Sequence, residues 1–282
     1  MQTVDKTVLA RKAVEIRKGA LLAVYSGQSG HPGGSLSIAD ILCYLYFHEL
    51  HVDPAQPKDP DRDRLVLSKG HCAPGLYAAL ALKGYFPWEQ LKTFRCLNST
   101  LQGHPNMNDT PGVDMSTGSL GQGISAACGM ALSGKISKKP YRVYAILGDG
   151  ELEEGEVWEA AMFAAQYKLD NLVACVDNNG LQIDGKITDV MSPLPIPEKF
   201  RAFGWHVIEI DAHDFDQIEA AYAEAKTVKG QPSMIVAHSV KGKGVSFMEN
   251  QAGWHGMAPN DEQYAQAVQE LDTALEKLGV QK

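Results

Sequence analysis

Apolar residues recur at helical spacing in several segments of the chain. In residues 7–25 they lie about one helical turn apart, and Ser26-Gly27-Gln28-Ser29-Gly30 follows, a run rich in residues that stop helices. A glycine-rich loop should therefore come after the first helix. Further helices are predicted at 37–48, 121–133, 156–167, 214–227 and about 261–278, the last one polar and amphipathic.

Short apolar runs alternate with these helices. Four of them span 141–147, 171–176, 205–210 and 233–239, and a shorter one spans Arg64 to Ser68. Such runs are typical of strands buried on both faces, and strand-helix alternation implies parallel strands joined by crossovers. We therefore predict one α/β domain over residues 1–282, a three-layer α/β/α fold with a mainly parallel sheet and a helical tail from about 260.

Composition narrows the class of protein. The chain has 44% hydrophobic and 21% charged residues with a net charge of -8, which argues against nucleic acid or an anionic membrane as main partner. We expect no signal peptide and no membrane span. The five cysteines, Cys43, Cys72, Cys96, Cys128 and Cys175, show no zinc-binding spacing. Reduced thiols in the cytoplasm fit best.

Polar turns follow two of the predicted strands. Gly148-Asp149-Gly150 follows one, and Asp177-Asn178-Asn179-Gly180 follows the next, with 27 residues between Gly150 and Asn178. Ligands of open α/β sheets bind beyond the carboxyl ends of the strands, so these turns should lie close together. Asp149 and Asn179 offer hard oxygen ligands, and the glycines let backbone N–H groups approach a phosphate. Either motif alone would be an ordinary turn.

The pair of turns resembles the thiamine-diphosphate fingerprint, GDG followed 25 to 30 residues later by NN, that transketolases share with related 2-oxo acid enzymes. The resemblance implies a diphosphate-binding domain in which Asp149, Asn179 and the carbonyl of Leu181 hold Mg²⁺, with Ca²⁺ as an alternative. Gly148, Gly150 and Asn179 would then lie against the cofactor.

Four glycine-flanked histidine loops narrow the family. They are Ser29-Gly30-His31-Pro32-Gly33-Gly34, Ser68-Lys69-Gly70-His71, Gly103-His104-Pro105 and Gly253-Trp254-His255-Gly256. Together they resemble the corresponding transketolase segments. That resemblance implies that His71 and His255 face the diphosphate, whereas His31 and His104 lie nearer the sugar hydroxyls, with His31, His104 and His255 catalytic. An imidazole suits these tasks because it can donate, accept or carry a proton near neutral pH.

Other segments match the same family. Residues 117–123 look like its loop that contacts the aminopyrimidine ring, which implies cofactor contacts at Gly118, Ser119 and Leu120. Glu154 and Glu159 align with glutamates that link the two cofactor sites across the dimer interface, so Glu154 is assigned to the cofactor. We interpret Glu151, Glu153 and Glu156 as negative charge favouring a helix N-terminus. Lys241 and Lys243 could meet an anion or belong to a solvated loop.

The resemblance implies transfer of a two-carbon glycolyl unit from a ketose phosphate to an aldose phosphate, with the thiazolium ring as the electron sink. In this family the glutamate that activates the aminopyrimidine, and the groups that grip the sugar phosphate, lie in a following domain. We expect that domain to lie on a separate polypeptide, together with a C-terminal domain. The two polypeptides should form an α₂β₂ assembly, and this chain should be inactive without its partner.

Other functions remain open on the sequence. The α subunit of a 2-oxo acid dehydrogenase shares the fingerprint and also needs a partner, although the histidine loops argue against it. Deoxyxylulose-phosphate synthase is related, but it normally carries all its domains in one chain. A non-catalytic thiamine-diphosphate-binding protein is the alternative from a different class of function. Against it, every predicted metal-binding and histidine position holds a chemically competent residue.

Overall fold

The computed structural model describes residues 5–279, and its centre is a sheet of five parallel strands. The spatial order is β1-β2-β3-β7-β6, so β3 is central. The strands are β1 (Arg64–Leu67), β2 (Val143–Gly148), β3 (Leu172–Asn178), β6 (His206–Asp211) and β7 (Ser233–His238). All five were predicted. A two-stranded antiparallel hairpin, β4 (Leu181–Gln182) and β5 (Gly185–Lys186), lies outside this sheet and was not.

Alternate strand residues face two separate cores. In β2, Tyr144 and Ile146 pack into one hydrophobic cluster, whereas Val143, Ala145 and Leu147 pack into the other. Successive side chains of a strand point to opposite faces, so a strand covered on both faces must be apolar throughout. The uninterrupted apolar runs in the sequence follow from this double burial.

Helices cover both faces of the sheet, as predicted. One core includes residues of α1 (Lys6–Gly27), α3 (Ala39–Tyr44), α4 (Ala73–Lys83) and α9 (Phe215–Thr227). The other includes residues of α5 (Gln122–Ile136), α6 (Gly155–Gln166) and α8 (Ile196–Ala202). The fold is thus a three-layer α/β/α sandwich. Two further helices, α2 (Pro32–Ser37) and α7 (Ile187–Val190), are short.

The predicted helix at 37–48 is broken in the structure. It consists of the end of α2, then α3, and then a π-helical turn over Leu45–Glu49. Pro32 begins α2, where its missing N–H costs nothing because that group has no helical partner. The start of the helical region therefore lies next to His31, earlier than the periodicity indicated.

The predicted polar helix near the end of the chain is α10 (Asp261–Lys277). Asn260 and Gln263 form a capping box that fixes its first turn. Ala267 and Leu271 are buried against a cluster that includes Val14 and Leu21 of α1. The helix therefore packs on the first helix. Of the predicted domain and tail, residues 1–4 and 280–282 lie outside the described residues.

No helix within residues 5–279 is long and apolar enough to cross a membrane.

A buried ionic network ties α1 and α3 to the loop before α9. The Arg17 guanidinium pairs with the carboxylate of Asp40, and both side chains are almost fully buried. His213 donates from Nδ1 to Asp40 at 2.7 Å, because its Nε2 accepts the Val240 N–H at 3.0 Å. Burial alone would raise the pKa of Asp40, but Arg17 and His213 lower it to about 2.

Asp40→Asn should destabilise the chain by about 3 kcal/mol near pH 7, because it leaves the buried Arg17 charge without a counter-ion. A carboxylate with a depressed pKa stabilises the fold above its unfolded pKa, so the deficit should shrink as the pH falls from about 4 to about 2. Urea unfolding near pH 7 and between about pH 4 and about pH 2 measures this difference in the free energy of unfolding. Asp216→Asn, at an exposed partner of Lys6, is the control and should change little. An Asp40→Asn deficit no larger than the control's would contradict the prediction.

Candidate active site

A cleft of about 280 Å³ lies at the carboxyl end of the sheet, where ligands of such sheets bind. The segments that follow β1, β2, β3 and β7 all contribute to it. Its lining includes the predicted residues His31, His71, Gly118, Leu120, Gly148, Asp149, Gly150, Asn179, Leu181 and His255, together with Gly34, Lys69, Glu151, Gln182, Ile183 and Lys241. Most of the site residues predicted from the sequence therefore line one continuous surface.

The two polar turns meet at this cleft, as their spacing indicated. Asp149 accepts the Gly150 N–H at 2.8 Å on one carboxylate oxygen and the Gly180 N–H on the other. Burial and the neighbouring Asp177 charge raise the pKa of Asp149 to about 6, and the two N–H donors oppose that shift. A nearby cation would further favour its charged form.

The side-chain amide of Asn179 has one orientation that satisfies both neighbours. Its Nδ2 donates to Asp177 at 2.9 Å, and its Oδ1 accepts the Leu181 N–H at 3.1 Å. A carboxylate only accepts and a backbone N–H only donates, so flipping the amide would break both bonds. The amide oxygen keeps a second lone pair that can bind a cation.

Lys69 and Asp177 form a buried ion pair that the sequence did not reveal as part of the site. Asp177 also accepts from Ser37 at 2.7 Å and from Ser239, and Lys69 also donates to the Gly34 carbonyl at 3.0 Å. Burial opposes the ionised form of each, but their mutual attraction raises the pKa of Lys69 and lowers that of Asp177. The pair joins the ends of β1, β3 and β7 to α2.

Three of the four predicted histidines form a cluster in the cleft. The ring centroids of His31, His71 and His255 lie 5.0 to 5.3 Å apart. Burial, aided by nearby positive charge, lowers the pKa of His31 to about 4 and of His255 to about 3, and lowers that of His71 as well. All three rings are therefore neutral near pH 7. His31 Nδ1 is buried without a hydrogen-bond partner among the described residues.

Lys241 lines the cleft and is buried, so its side chain does not belong to a solvated loop. Its side chain is buried, and its ammonium donates to the Leu181 carbonyl at 2.9 Å and to His255 Nδ1 at 3.0 Å. Burial and the nearby Lys69 charge lower the pKa of Lys241. Lys243 is half-buried and lies 3.8 Å from Glu249, away from the cleft.

Glu151 lies at a helix start, as interpreted, but its carboxylate is buried and bonded to other segments, which the sequence did not reveal. The residue lies in a 3₁₀ turn over Gly150–Glu153 and is 2% exposed. Its carboxylate accepts from Ser68 Oγ, from the Gly121 N–H at 2.9 Å and from the Gly148 N–H at 3.0 Å. No local signal marks this burial, because a glutamate after a glycine turn has the same pattern whether it is buried or exposed. Glu153 is exposed and lies in the same 3₁₀ turn.

The remaining predicted residues do not line the cleft. The His104 ring lies close to Gly118, where an added Cβ would come within 2.9 Å of the imidazole. Ser119 and Glu154 are exposed and do not line the cleft, although Glu154 packs next to Gly121. Glu159 is exposed on α6. Contacts of Ser119 and Glu154 with a ligand would therefore have to come from the rim.

The donor set fits a divalent cation and an anionic ligand. Asp149, Asn179 and the Leu181 carbonyl supply a carboxylate, an amide and a main-chain oxygen, which are the ligands Mg²⁺ and Ca²⁺ prefer. The Leu181 carbonyl already accepts from a positively charged group, the Lys241 ammonium, which lines the same cleft. Within residues 5–279 no group of three or more His, Cys, Asp or Glu is arranged to hold a metal. A metal at this donor set would therefore combine the Asp149 carboxylate with amide, carbonyl and ligand oxygens.

A second cleft of about 600 Å³ is lined by residues 57–64 and 107–114, with Met130. Its arginines are already paired. Arg62 pairs with Asp114, and Arg64 donates to the Arg62 and Pro60 carbonyls. Both arginines of this cleft are therefore already engaged within the chain.

Comparisons with known proteins identify the family. The family model described as "Transketolase, thiamine diphosphate binding domain" matches residues 9–280. A 6-deoxy-6-sulfo-D-fructose transketolase subunit from Clostridium sp. is 50% identical over 94% of this chain and 96% of that protein. An apulose-4-phosphate transketolase subunit from Phocaeicola vulgatus is 43% identical over 93% of each chain.

Solved structures show the same fold. Transketolase from Campylobacter jejuni superimposes with a TM-score of 0.88 at 33% identity, covering 94% of this chain and 43% of that one. The chain thus spans less than half the length of that enzyme, while it spans almost all of the two proteins named as subunits.

Gly70→Ala should weaken binding of thiamine diphosphate. A Cβ at Gly70 would lie 2.6 Å from Thr117 Oγ1 and 2.7 Å from the Gly118 backbone nitrogen, so it would push the 117–120 loop away from the cleft. We expect affinity to fall at least about tenfold, with a stability cost of about 1–3 kcal/mol from overpacking. Calorimetric titration with Mg²⁺ present measures the affinity.

Gly155→Ala is the matched control, because a Cβ there meets no atom within 4 Å. It should bind the cofactor like the unaltered chain. Equal affinity in Gly70→Ala and Gly155→Ala would show that the contact between Gly70 and the 117–120 loop does not shape the site.

Proposed function

The chain belongs to the transketolase family, as its thiamine-diphosphate-binding domain, and from this premise we propose that it is the cofactor-binding subunit of a two-subunit transketolase. The observation that carries the proposal is the pattern of coverage. The chain matches 96% and 93% of two proteins that are named subunits, but only 43% of the much longer Campylobacter jejuni transketolase chain. The remaining domains are then supplied by a separate polypeptide.

We propose that Mg²⁺ is held by Asp149, Asn179 and the Leu181 carbonyl, with diphosphate oxygens completing its shell. Bound thiamine diphosphate supplies the electron sink that cleavage next to a ketose carbonyl requires. The metal would replace the Lys241 ammonium at Leu181, which frees that ammonium to face a phosphate oxygen. The Gly150 N–H donates to Asp149 at 2.8 Å and so helps to hold this proposed metal ligand in place.

The histidines are proposed to bind and orient neutral hydroxyls and phosphate oxygens. While Lys241 is an ammonium, His255 Nδ1 accepts from it, so the proton of His255 sits on Nε2 and can be donated. His71 shares this role at the diphosphate. His31 is neutral near pH 7, so we propose that its ring hydrogen-bonds a sugar hydroxyl. His104, whose ring lies close to Gly118, is proposed to bind a second hydroxyl.

The partner is proposed to carry the pyrimidine-binding and C-terminal domains in an α₂β₂ complex. Exposed apolar side chains on and just after α5 and α6 support an interface: Ile136 is 72% exposed, Met162 54% and Tyr167 50%. Glu154 and Glu159 are exposed in the same region, as residues that link two cofactor sites across an interface need to be before assembly.

The substrates are proposed to be ketoses and aldoses that carry a terminal anionic group. The two similar proteins are named for 6-deoxy-6-sulfo-D-fructose and apulose 4-phosphate, which bear a sulfonate and a phosphate. Both a pentose-phosphate role and specialised sugar catabolism are compatible with this class. The five free cysteines support a proposed cytoplasmic location.

The rival functions have less support. The similar proteins are named transketolases rather than 2-oxo acid dehydrogenases, and the His31, His71 and His255 cluster is complete. A non-catalytic binding protein would have no need of neutral histidines gathered beside the metal ligands. Turnover distinguishes it from an enzyme.

Ketol transfer should require both subunits. With thiamine diphosphate and Mg²⁺, the purified chain should be inactive, and its complex with the partner should transfer a two-carbon unit from 6-deoxy-6-sulfo-D-fructose, apulose 4-phosphate or xylulose 5-phosphate to an aldose phosphate. Product formation followed by mass spectrometry measures it. Omitting Mg²⁺ should abolish turnover, since the diphosphate then lacks its counter-ion.

Turnover by the chain alone would refute the two-subunit proposal. A stable complex that binds thiamine diphosphate yet transfers no unit from any of the three ketoses would favour the binding-protein alternative.

A further inference from the structure

One buried carboxylate holds three separate loops of the cleft together. We propose that Glu151 is a positioning residue: by accepting hydrogen bonds from Ser68, Gly121 and Gly148 it fixes the spacing of the loops that contact the cofactor, and thereby sets cofactor affinity. The inference rests on the proposed function, because it concerns the same cleft.

Each of the three donors lies next to residues that line the cleft. Ser68 precedes Lys69 and His71, Gly121 follows Gly118 and Leu120, and Gly148 precedes Asp149. The three segments are the loop after β1, the loop before α5 and the end of β2, which leads directly into the turn that carries Glu151 itself. The Glu151 carboxylate contacts all three at once. A shift of any one loop would therefore break a bond to the same side chain.

The loops that meet at this carboxylate pack closely against one another. An added Cβ at Gly123 would come within 2.6 Å of the Ser68 Cα, and one at Gly70 within 2.7 Å of the Gly118 nitrogen. Thr117 Oγ1 also donates to the Leu67 carbonyl at 2.7 Å. Close backbone packing sets how near the loops can come. The carboxylate supplies the attraction that keeps them there.

Only a carboxyl group matches the donors. The Gly121 N–H bonds to Oε1 and the Gly148 N–H bonds to Oε2, and a backbone N–H can only donate. A glutamine in the same place has one acceptor oxygen, so its NH₂ group would face one of the two N–H donors. Glu151→Gln therefore preserves the size of the side chain and removes one loop contact.

The Glu151 side chain is 2% exposed, so its carboxylate has lost most of its hydration, and its three hydrogen bonds have to compensate for that loss. Replacing a buried charge by a neutral group of the same shape is often neutral for stability or even favourable. A purely structural role predicts a loss of stability, whereas a positioning role predicts a loss of cofactor affinity.

The test compares Glu151→Gln with the unaltered protein in the two-subunit complex. We expect the dissociation constant for thiamine diphosphate with Mg²⁺ to rise about 10- to 100-fold, as for loss of groups that orient metal ligands. The thermal midpoint of the ligand-free chain should fall no more than in the control. The Michaelis constant for the cofactor should rise while kcat at saturating cofactor is largely retained.

Glu156→Gln is the matched control. Glu156 accepts from the Gln122 side chain, so it also links α6 to the start of α5, but it contacts no backbone group of the cleft loops within the described residues. Its cofactor affinity should be unchanged. Equal affinities in Glu151→Gln and Glu156→Gln would overturn the inference, and so would a drop in affinity fully matched by loss of the ligand-free fold.

Ser68→Ala provides a second variant in case Glu151→Gln does not fold. It removes only the hydroxyl donor and leaves both backbone contacts, so affinity should fall by a smaller factor of about 2 to 10, the loss of one hydrogen bond. No change in this variant would also count against the inference.

Hydrogen exchange separates failure of the inference from failure of the proposed function. In the ligand-free chain, the Gly121 and Gly148 amides should be protected, and Glu151→Gln should lose protection at one or both. If the unaltered complex does not bind thiamine diphosphate, the proposed function is wrong, whatever the exchange shows. If it binds the cofactor but Glu151→Gln exchanges and binds like the unaltered protein, only the inference is wrong.

Discussion

The site depends on an ion pair between Lys69 and Asp177 at the carboxyl end of the central strand. Both side chains are about 2% exposed, and around them Ser37, Ser239, Asn179 and the Gly34 carbonyl complete a closed set of hydrogen bonds. Removing either partner would leave a buried charge without compensation, which costs about 3–5 kcal/mol. Because Asn179 is one of the groups held by Asp177, the same pair that joins three strand ends and α2 also orients a proposed metal ligand.

Two buried carboxylates, Asp177 and Glu151, connect the segments that line the cleft. Asp177 joins the ends of β1, β3 and β7, and Glu151 joins the ends of β1 and β2 to the start of α5. Asp149 lies between them, with its carboxylate bonded to Gly150 and Gly180. Because these groups are already held in place, little of the site has to rearrange when an anionic ligand and its cation bind, apart from the Lys241 ammonium at the Leu181 carbonyl. We propose that these strand ends bind the diphosphate end of the cofactor and that the partner supplies the remaining contacts to the substrate.

Local sequence predicted the elements better than it predicted their partners. Strands such as β2 and β3 were recognised because burial on both faces demands unbroken apolar runs. The helix α4 was missed because most of its side chains are buried, so it has no polar face to mark its period. Pairings such as Lys69 with Asp177, 108 residues apart, depend on the strand order β1-β2-β3-β7-β6, which local periodicity does not contain. For the same reason the burial of Glu151 was not predicted and Lys241 was left undecided, although residues of three histidine loops and of both polar turns line the cleft.

The central claim is that this chain binds thiamine diphosphate through a divalent metal held by the turns after β2 and β3. The most direct test is calorimetric titration of the two-subunit complex with thiamine diphosphate over a series of Mg²⁺ concentrations, for the unaltered protein and for Asp149→Asn. We expect affinity to rise with Mg²⁺ in the unaltered protein and to become weak and nearly independent of Mg²⁺ in the variant. Affinity that does not depend on Mg²⁺ in the unaltered protein, or the same dependence in both, would contradict the claim.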